Sequence, residues 1–218
     1  MFNKVLIANR GEIAVRIIRS CIEMGINTVA IHSTADSDAM HVKMADESIC
    51  VGGAKSLDSY LNIPAIITAA ELTGAEAIHP GYGFLSENYK FARILEEYNI
   101  TFIGPKSEHI KTMGDKVSAR KLISKTGIPL VPGSDGPIKN LKDLKLISKD
   151  IGFPLIIKAS AGGGGKGMKV VKEISELQSA YNLTKSEAEV NFGNDEIYAE
   201  KFLKNPKHVE FQIFADNY

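Results

Sequence analysis

Cysteine is scarce and tryptophan is absent in this 218-residue sequence, which has two cysteines, Cys21 and Cys50. Both stand in apolar runs, and no second ligand follows either of them at the spacing of a metal site. This pattern favours two buried thiols in a reducing cytoplasm over a disulfide or a metal pair. No apolar run approaches the roughly 20 residues of a membrane helix, and the run at 5–8 is too short for a signal peptide. We therefore expect a cytoplasmic protein without a membrane partner.

The sequence also lacks an excess of charge of either sign, because 26 lysines and arginines balance 26 aspartates and glutamates. Such a chain has no overall field that would hold a nucleic-acid backbone, so we expect no nucleic-acid partner, and any anion site must be local. Apolar residues make up 44% and charged residues 24% of the chain, which is typical of soluble globular proteins and excludes disordered and collagen-like classes.

The first half of the chain alternates short β-like runs with amphipathic helical runs, which predicts an α/β domain built on a parallel sheet. Asn62 is the predicted cap of one helix, with Pro64 in its first turn and Gly74 at its end. A glycine-proline pair then breaks the pattern, and we place a domain boundary near residues 104–113. The predicted strands are 5–8, 28–32, 76–78 and 101–103, and the predicted helices are 12–24, 62–74 and 87–98.

The pattern changes in the second half of the chain, where two predicted strands flank a glycine-rich stretch. The last predicted strand, 209–215, alternates polar and apolar residues and is followed by a turn-like sequence. No partner strand follows it, which predicts a chain that is truncated inside a domain. The predicted strands of this half are 154–159, 168–171, 196–202 and 209–215, and the predicted helices are 116–126, 140–150 and 175–190.

The stretch 158–168 (KASAGGGGKGM) carries five glycines. A glycine inside an element costs roughly 0.5 to 1 kcal/mol relative to alanine, so the cluster indicates a use for bare backbone. Without Cβ atoms, consecutive N–H groups reach phosphate oxygens, and Lys158 and Lys166 add positive charge. The alternative is a flexible hairpin loop with solvated lysines.

Two better-known phosphate motifs do not fit this stretch. A P-loop requires serine or threonine after the lysine, where this chain has Gly167. Gly162, Gly164 and Gly167 match the spacing of the dinucleotide fingerprint, but a strand follows them where that fold has a helix. A strand-loop-strand cover over phosphates, of the kind that kinases use, fits better.

Three further features indicate where ligands bind. Lys116 begins a predicted helix, where the helix dipole disfavours a lysine unless an anion lies nearby; the alternative is a lysine that extends into water. The loops at 9–12 and 79–88 both follow predicted strands, so they should share the rim at which open α/β sheets bind ligands. His79 by itself is more often a hydrogen-bonded structural histidine than a catalyst, and Glu87 could simply cap its helix.

Longer strings in the sequence resemble the biotin carboxylase family, in order and along the whole chain. They resemble the biotin carboxylase subunit of bacterial acetyl-CoA carboxylase most closely, although pyruvate and propionyl-CoA carboxylases carry similar N-terminal modules. The strings are VLIANRGEIA (5–14), SYLN (59–62), IHPGYGFLSEN (78–88), MGDK (113–116), PGS (132–134) and IKASAGGGGKGM (157–168).

The resemblance implies a fold of two parts. Residues 1–113 are similar to the pre-ATP-grasp domain, the parallel-sheet α/β domain with which biotin carboxylases begin. Residues 114–218 are similar to the first part of an α+β ATP-grasp domain, including its glycine-rich lid, and that domain would be incomplete.

The resemblance also implies a nucleotide site. Lys116 and Lys158 match the lysines that contact ATP phosphates, and the glycine loop matches the mobile lid over them. The segment 200–203 matches the one that holds adenine by a side chain and the backbone, and His208 matches a further nucleotide-site residue. The ATP-site residues are then Lys116, Lys158, Gly163, Gly164, Gly165, Lys166, Gly167, Met168, Glu200, Lys201, Phe202, Leu203 and His208.

The remaining family positions concern biotin and assembly. Tyr82 and Gly83 match the loop beside the biotin ring, and Arg19 and Glu23 match helix positions in a homodimer contact. In the family reaction ATP, with Mg²⁺ or Mn²⁺, phosphorylates bicarbonate to carboxyphosphate, which releases CO₂ beside carrier-bound biotin. The implied partners are a second copy of the chain, a biotin carboxyl carrier protein and a carboxyltransferase, in the first half-reaction of acetyl-CoA carboxylase in fatty acid synthesis.

The family's metal-binding glutamates, its base and its arginine beside biotin would lie beyond the last residue of this chain. We therefore expect no catalytic residue and no metal ligand here, and no turnover by the fragment alone. The alternatives are the N-terminal part of a pyruvate or propionyl-CoA carboxylase, another ATP-grasp ligase such as a carbamoyl phosphate synthetase or amino-acid ligase, and a non-catalytic dimerisation or nucleotide-binding module.

Overall fold

Contacts between residues divide the chain into two units, Met1–Asp115 and Lys116–Tyr218, here called the first unit and the second unit. The computed structural model describes residues 1–160, 167–207, 209, 211–213 and 215, and within these ranges it leaves out the side chains of Lys116 and Val117. None of the helices in these ranges is long and apolar enough to cross a membrane.

The first unit is built on a five-stranded parallel sheet with the strand order β3-β2-β1-β4-β5. The parallel sheet predicted from the sequence is confirmed. Its strands are β1 (Lys4–Ile7), β2 (Asn27–Ser33), β3 (Glu47–Gly52), β4 (Ala77–His79) and β5 (Thr101–Phe102). Its helices are α1 (Gly11–Glu23), α2 (Met40–Met44), α3 (Ile63–Thr73), α4 (Tyr89–Glu97) and α5 (Ser107–Gly114), with 3₁₀ turns at Thr34–Asp36 and Ser56–Asp58.

Both faces of this sheet are buried, which explains why the central strand β1 has a continuous apolar sequence. Leu6 belongs to a core that also contains Phe91 of α4. Val5 and Ile7 belong to a second core on the opposite face, where they pack with Ile18 of α1. The first unit therefore has helices on either side of the sheet, and the carboxyl ends of its strands form one rim.

Helix ends in the first unit follow local sequence signals. Asn62 caps α3 through its side chain, and Gly74 ends that helix in a left-handed conformation, as the sequence predicts. Helix α4 begins later than predicted, because the side chain of Asn88, rather than Glu87, accepts the N–H of the first turn. Helix α5 was not predicted, since it follows directly on the glycine-proline break.

The second unit contains a three-stranded antiparallel sheet with the order β7-β6-β8. Helix α6 begins at Lys116, as predicted, and its predicted last turn is a separate 3₁₀ turn. The strands are β6 (Leu155–Ala159), β7 (Met168–Val171) and β8 (Ile197–Lys201). The helices are α6 (Lys116–Ile123), α7 (Leu141–Ile151) and α8 (Leu177–Phe192), with 3₁₀ turns at Ser124–Thr126 and Ile174–Glu176.

The core of the second unit lies on one face of its sheet. Leu155 and Ile157 of β6 are fully buried there, together with Leu144 of α7 and Leu177 of α8. Because successive strand residues point to opposite faces, the residues between them face away from the helices. The α/β first unit and the α+β second unit agree with the predicted fold class.

The prediction that both cysteines are buried is wrong for Cys50. Cys50 is exposed, because Ile49 and Val51 on either side of it in β3 point inward and Cys50 points outward. Cys21 is buried as predicted, and burial raises the pKa of its thiol. Both cysteines are free.

The strand predicted at 209–215 is not formed in the described residues 209, 211–213 and 215. Val209, Phe211 and Ile213, which should form its apolar face, are 70%, 84% and 82% exposed. A strand needs a neighbour to take up its backbone hydrogen bonds, and the alternating pattern alone does not provide one.

Candidate functional site

Strand alternation brings three of the predicted ATP-site residues, Lys158, Met168 and Glu200, to one face of the second unit's sheet. Ile157 and Ala159 of β6 point to the helices, so Lys158 between them points to the other side. The register pairs Lys158 with Met168 of β7 and with Tyr198 of β8. We call this side the open face, and it carries Ile156, Lys158, Met168, Val170, Tyr198 and Glu200.

Lys158 and Glu200 form an ion pair on the open face. Glu200 lies two residues along β8 from Tyr198, which makes it the diagonal neighbour of Lys158 and places it within reach of a long side chain. Their side chains are 25% and 21% exposed, so neither charge is fully desolvated. A pair of this kind adds at most about 1 kcal/mol to stability. Its main effect is to hold an ammonium group at a fixed place on the face.

Tyr198 belongs to the same face, although sequence reasoning did not select it. Burial, helped by the negative charge of Glu200, raises the pKa of the Tyr198 phenol to about 12. The phenol is therefore a neutral group at physiological pH. A period-two count back from Glu200 would have identified this tyrosine.

The predicted adenine segment divides between the two faces of the sheet. The side chain of Glu200 is on the open face, whereas the Nζ of Lys201 donates to the carbonyl of Phe153 at 2.9 Å. The backbone N–H of Lys201 donates to Pro132 at 2.7 Å. Phe202 is half-buried and Leu203 is 50% exposed, beyond the end of β8.

The predicted lid is described at its C-terminal end. Gly163, Gly164, Gly165 and Lys166 lie outside the described residues, as does His208. Gly167 is buried with φ +66°, and its carbonyl accepts the N–H of Ala159 at 2.9 Å. A Cβ at this glycine would lie 3.1 Å from the Cβ of Ala159 and 3.3 Å from Phe192, so both backbone conformation and space favour glycine where the lid joins β7.

The two predicted rim loops of the first unit meet through Asn9. This side chain is 3% exposed, and its Nδ2 donates to the carbonyls of Pro80 and Tyr82 at 2.7 and 2.8 Å. The Nδ1 of His79 accepts the N–H of Gly81 at 3.0 Å, and burial lowers the pKa of this histidine. His79 is thus a hydrogen-bonded structural residue, as the sequence favours.

A charged cluster that the sequence did not reveal lies on the same rim. Arg10 donates two hydrogen bonds to Asp36, at 2.7 and 2.6 Å, and the hydroxyl of Tyr60 donates to the same carboxylate at 2.6 Å. The hydrogen bond and charge of Arg10 hold the pKa of Asp36 well below its usual range. The Tyr60 ring stacks on Phe84 with centroids 5.1 Å apart, which connects the cluster to the loop that contains Tyr82.

The remaining predicted residues of the first unit are exposed. Tyr82 is 59% exposed, and Gly83 is exposed beside it with φ +70°. Arg19 and Glu23 lie four residues apart on the solvent side of α1, and Arg19 borders a groove between α1 and α2. Among the described residues, no three His, Cys, Asp or Glu side chains are close enough to hold a metal ion.

Two protein-family models match the chain, and the boundary between them lies close to the boundary between the two units. Residues 1–110 match the family described as biotin carboxylase, N-terminal domain. Residues 115–218 match the family described as carbamoyl-phosphate synthase L chain, ATP binding domain.

Curated relatives match the chain along its length. Biotin carboxylase of Haemophilus influenzae is 60% identical over 219 residues, which cover 100% of this chain and 49% of the relative. Pyruvate carboxylase of Bacillus subtilis is 55% identical over 214 residues, which cover 98% of this chain and 19% of the relative. The chain thus spans about half the length of the curated biotin carboxylases it matches.

Solved structures give the same result. The biotin carboxylase–β,γ-ATP complex of Campylobacter jejuni has a TM-score of 0.85 and 50% identity, covering 94% of this chain and 46% of that one. The biotin carboxylase domain dimer of Hydrogenobacter thermophilus 2-oxoglutarate carboxylase, with MgADP, ADP and bicarbonate, has a TM-score of 0.81 and 51% identity, covering 94% and 45%. The chain, with its parallel-sheet first unit and the first part of an ATP-grasp domain, belongs to the biotin carboxylase family.

Proposed function

We propose that this chain forms the N-terminal domain and the phosphate-binding part of the ATP-grasp domain of an enzyme that carboxylates carrier-bound biotin with ATP and bicarbonate. The observation that carries the proposal is the ammonium group of Lys158, held on the open face beside Glu200 at the base of the glycine lid. The similarity to a β,γ-ATP complex and to a complex with MgADP and bicarbonate supports it. The proposed domain limits are 1–113 and 114–218.

In this proposal Lys158 neutralises phosphate charge. An ammonium group about 4 Å from a phosphate oxygen has a gross attraction of roughly 4 kcal/mol at an effective dielectric near 20. Lys116 would add a second ammonium group, and residues 163–168 would cover the phosphates with backbone N–H groups. Segment 200–203 and His208 would hold the base of the nucleotide. Since the side chain of Lys201 donates to Phe153 and its backbone N–H donates to Pro132, its proposed contribution is assigned to its carbonyl.

No metal ligand is proposed within the chain. When bound, Mg²⁺ or Mn²⁺ would supply positive charge that neutralises the phosphates, and none of the chain's residues is assigned to hold it. The role proposed for the chain's own residues is to bind and orient the nucleotide, and no catalytic residue is assigned among them. Tyr82 and Gly83 are proposed to lie beside biotin, and Arg19 and Glu23 to contact a second copy.

The wider role that we propose is the first half-reaction of acetyl-CoA carboxylase in fatty acid synthesis, in the cytoplasm, with a biotin carboxyl carrier protein and a carboxyltransferase as partners. The 60% identity to the biotin carboxylase of Haemophilus influenzae supports the carboxylation of biotin in this role. A pyruvate carboxylase module is the second candidate, because the Bacillus subtilis enzyme is 55% identical. An assay of the full-length protein with acetyl-CoA and with pyruvate as carboxyl acceptors separates the two.

Two lysines on opposite faces of one sheet provide the test of the nucleotide site. Lys158 is on the open face, whereas Lys169 of β7 pairs with Glu187 of α8 at 2.9 Å on the helix-covered face. We expect Lys158→Ala to weaken ADP binding at least tenfold, because a charge-assisted hydrogen bond contributes about 1.5 to 3 kcal/mol. Lys169→Ala should leave the affinity within twofold. Calorimetric titration of the chain with ADP measures both.

Equal affinity of the two variants for ADP would overturn the assigned site. If the unaltered chain does not bind ADP at all, the non-catalytic dimerisation module would be favoured. Because no catalytic residue is assigned to this chain, we also predict that the 218-residue chain alone shows no bicarbonate-dependent ATP hydrolysis. Hydrolysis above the background of the Lys158→Ala variant would contradict that expectation.

A further inference from the structure

The side-chain amide of Asn9 is built into the loop that follows β4. Its Nδ2 donates to two carbonyls of that loop, Pro80 at 2.7 Å and Tyr82 at 2.8 Å, and its Oδ1 accepts the N–H of Arg10 at 2.8 Å. The residue is 3% exposed, so these bonds replace water almost completely. If the loop moved away, these buried groups would lose their hydrogen-bond partners, which costs free energy. The bonds therefore hold the loop against the end of β1.

The fit of Gly81 shows how closely the loop approaches this amide. Gly81 has φ +62°, and a Cβ on it would lie 2.9 Å from the Nδ2 of Asn9 and 3.0 Å from the Cγ1 of Ile13. The N–H of the same glycine donates to the Nδ1 of His79. Backbone conformation, available space and hydrogen bonding thus all specify one arrangement of residues 80–82.

The far end of the loop has an anchor of its own. Phe84 has φ +40°, a conformation that costs energy for a residue with a side chain, and its ring stacks on Tyr60. The hydroxyl of Tyr60 is held by Asp36, which Arg10 binds through two hydrogen bonds. Arg10 follows Asn9 in the chain, so adjacent residues at the end of β1 organise both ends of the loop.

Tyr82 lies between the two anchors with its side chain 59% exposed. Its carbonyl is bound on the inner side by Asn9, so the ring is presented outward on a fixed backbone. A loop that is ordered before a ligand arrives does not lose conformational entropy on binding, which raises affinity. Support of this kind, from groups that do not touch the ligand, is what a precise site requires.

We propose that Asn9 is a positioning residue that holds loop 80–83 in the shape in which Tyr82 and Gly83 receive the biotin ring. The inference rests on the proposed function. It concerns biotin binding and leaves the nucleotide site, in the second unit, unaffected. Asn9 acts through the loop and does not contact the ligand.

Two asparagines at opposite ends of β1 make a matched test. Asn9→Asp keeps the size of the side chain but places a carboxylate, which cannot donate, against two carbonyls. Asn3→Asp makes the same change where Nδ2 donates to Glu76 at 2.7 Å, at the amino end of the strand. In the full-length protein we expect Asn9→Asp to raise the KM for free biotin at least tenfold with the KM for ATP within twofold. Asn3→Asp should change neither.

A spectroscopic measurement on the chain checks the loop independently of turnover. Asn9→Asp should shift the amide resonances of Gly81 and Gly83, and it should speed the hydrogen exchange of Gly81, whose N–H donates to His79, at least tenfold. Asn3→Asp should leave both unchanged. If Asn9→Asp does not fold, Asn9→Ser, which keeps one donor and adds no charge, should give a smaller rise in the KM for biotin.

The outcomes separate the inference from the proposed function. Absence of biotin-dependent turnover in the unaltered full-length protein would mean that the proposed function is wrong. Turnover in that protein, with a KM for biotin that Asn9→Asp and Asn9→Ser leave within twofold, would mean that the positioning role is wrong. An equal rise in the KM values for biotin and ATP would also overturn it, since a general loss of structure affects both.

Discussion

The proposed binding residues of the two units are held in different ways. In the first, helices cover both faces of a parallel sheet, and the rim loop 80–83 is hydrogen-bonded to the protein itself. In the second, helices cover one face of an antiparallel sheet, and the open face carries the charged pair of Lys158 and Glu200. In the first unit, a loop is held by hydrogen bonds to a buried side chain. In the second unit, a partly exposed ion pair is held between two strands.

The largest expected effect concerns the separate cores of the two units. Leu6 and Leu155 are both fully buried, one in each unit. Leu6→Ala and Leu155→Ala should each destabilise its own unit by about 2 to 5 kcal/mol, because each leaves a cavity. Hydrogen exchange, measured by mass spectrometry on peptides from each unit, reports on the two units separately. Equal loss of protection in both units from either variant would contradict the idea of two cores.

Two glycines of the rim loop should differ in their tolerance of alanine. Both have positive φ, but a Cβ at Gly81 meets Asn9 and Ile13, whereas a Cβ at Gly83 meets nothing within 4 Å. Gly83→Ala should cost about 1 kcal/mol for the backbone conformation. Gly81→Ala should cost a further 1 to 3 kcal/mol for overpacking. Urea unfolding measures the free energy of unfolding of both variants. Equal losses of stability would show that the loop shifts to make room for the Cβ at residue 81.

A smaller effect is expected at alkaline pH in the second unit. Burial holds the Tyr198 phenol neutral and raises its pKa to about 12 in the folded chain, against about 10 when unfolded. Below pH 10 both states keep the proton, so the contribution of Tyr198 to stability is fully present. It is lost as the pH rises from about 10 to 12, where the unfolded state ionises first.

Tyr198→Phe tests this dependence. The variant should lose less stability than the unaltered chain between about pH 10 and 12, as measured by urea unfolding at each pH. The ultraviolet titration of tyrosinate should at the same time lose its latest-ionising component. A titration that is unchanged at high pH would show that Tyr198 ionises normally.

The sequence predicted what depends on local pattern. Period-two alternation and helix signals predicted the parallel sheet, the cap at Asn62 and the strand Met168–Val171. The family resemblance assigned Lys158 to the phosphates and Glu200 to the adenine, which stays a prediction, and the fold pairs the two side chains. Loops at the ends of β1 and β4 were expected on one rim, and Asn9 joins them.

The features that the sequence did not reveal depend on contacts between distant residues. Asp36 and Arg10 are 26 positions apart, and no local pattern distinguishes Asp36 from other surface aspartates. Cys50 and the segment 209–215 were misjudged because apolar neighbours do not say which side of a strand is covered or whether a partner strand exists. Only packing decides those points.

If Lys158 binds phosphate as we propose, its pairing with Glu200 affects which anions bind there. A small anion that binds the ammonium group must compete with a carboxylate that is permanently attached and therefore always present at high local concentration. Free phosphate, with a single point of attachment, gains little from that exchange. A larger anion that also contacts the protein elsewhere gains enough free energy to compensate for breaking the ion pair. The ion pair would therefore favour extended ligands over small anions.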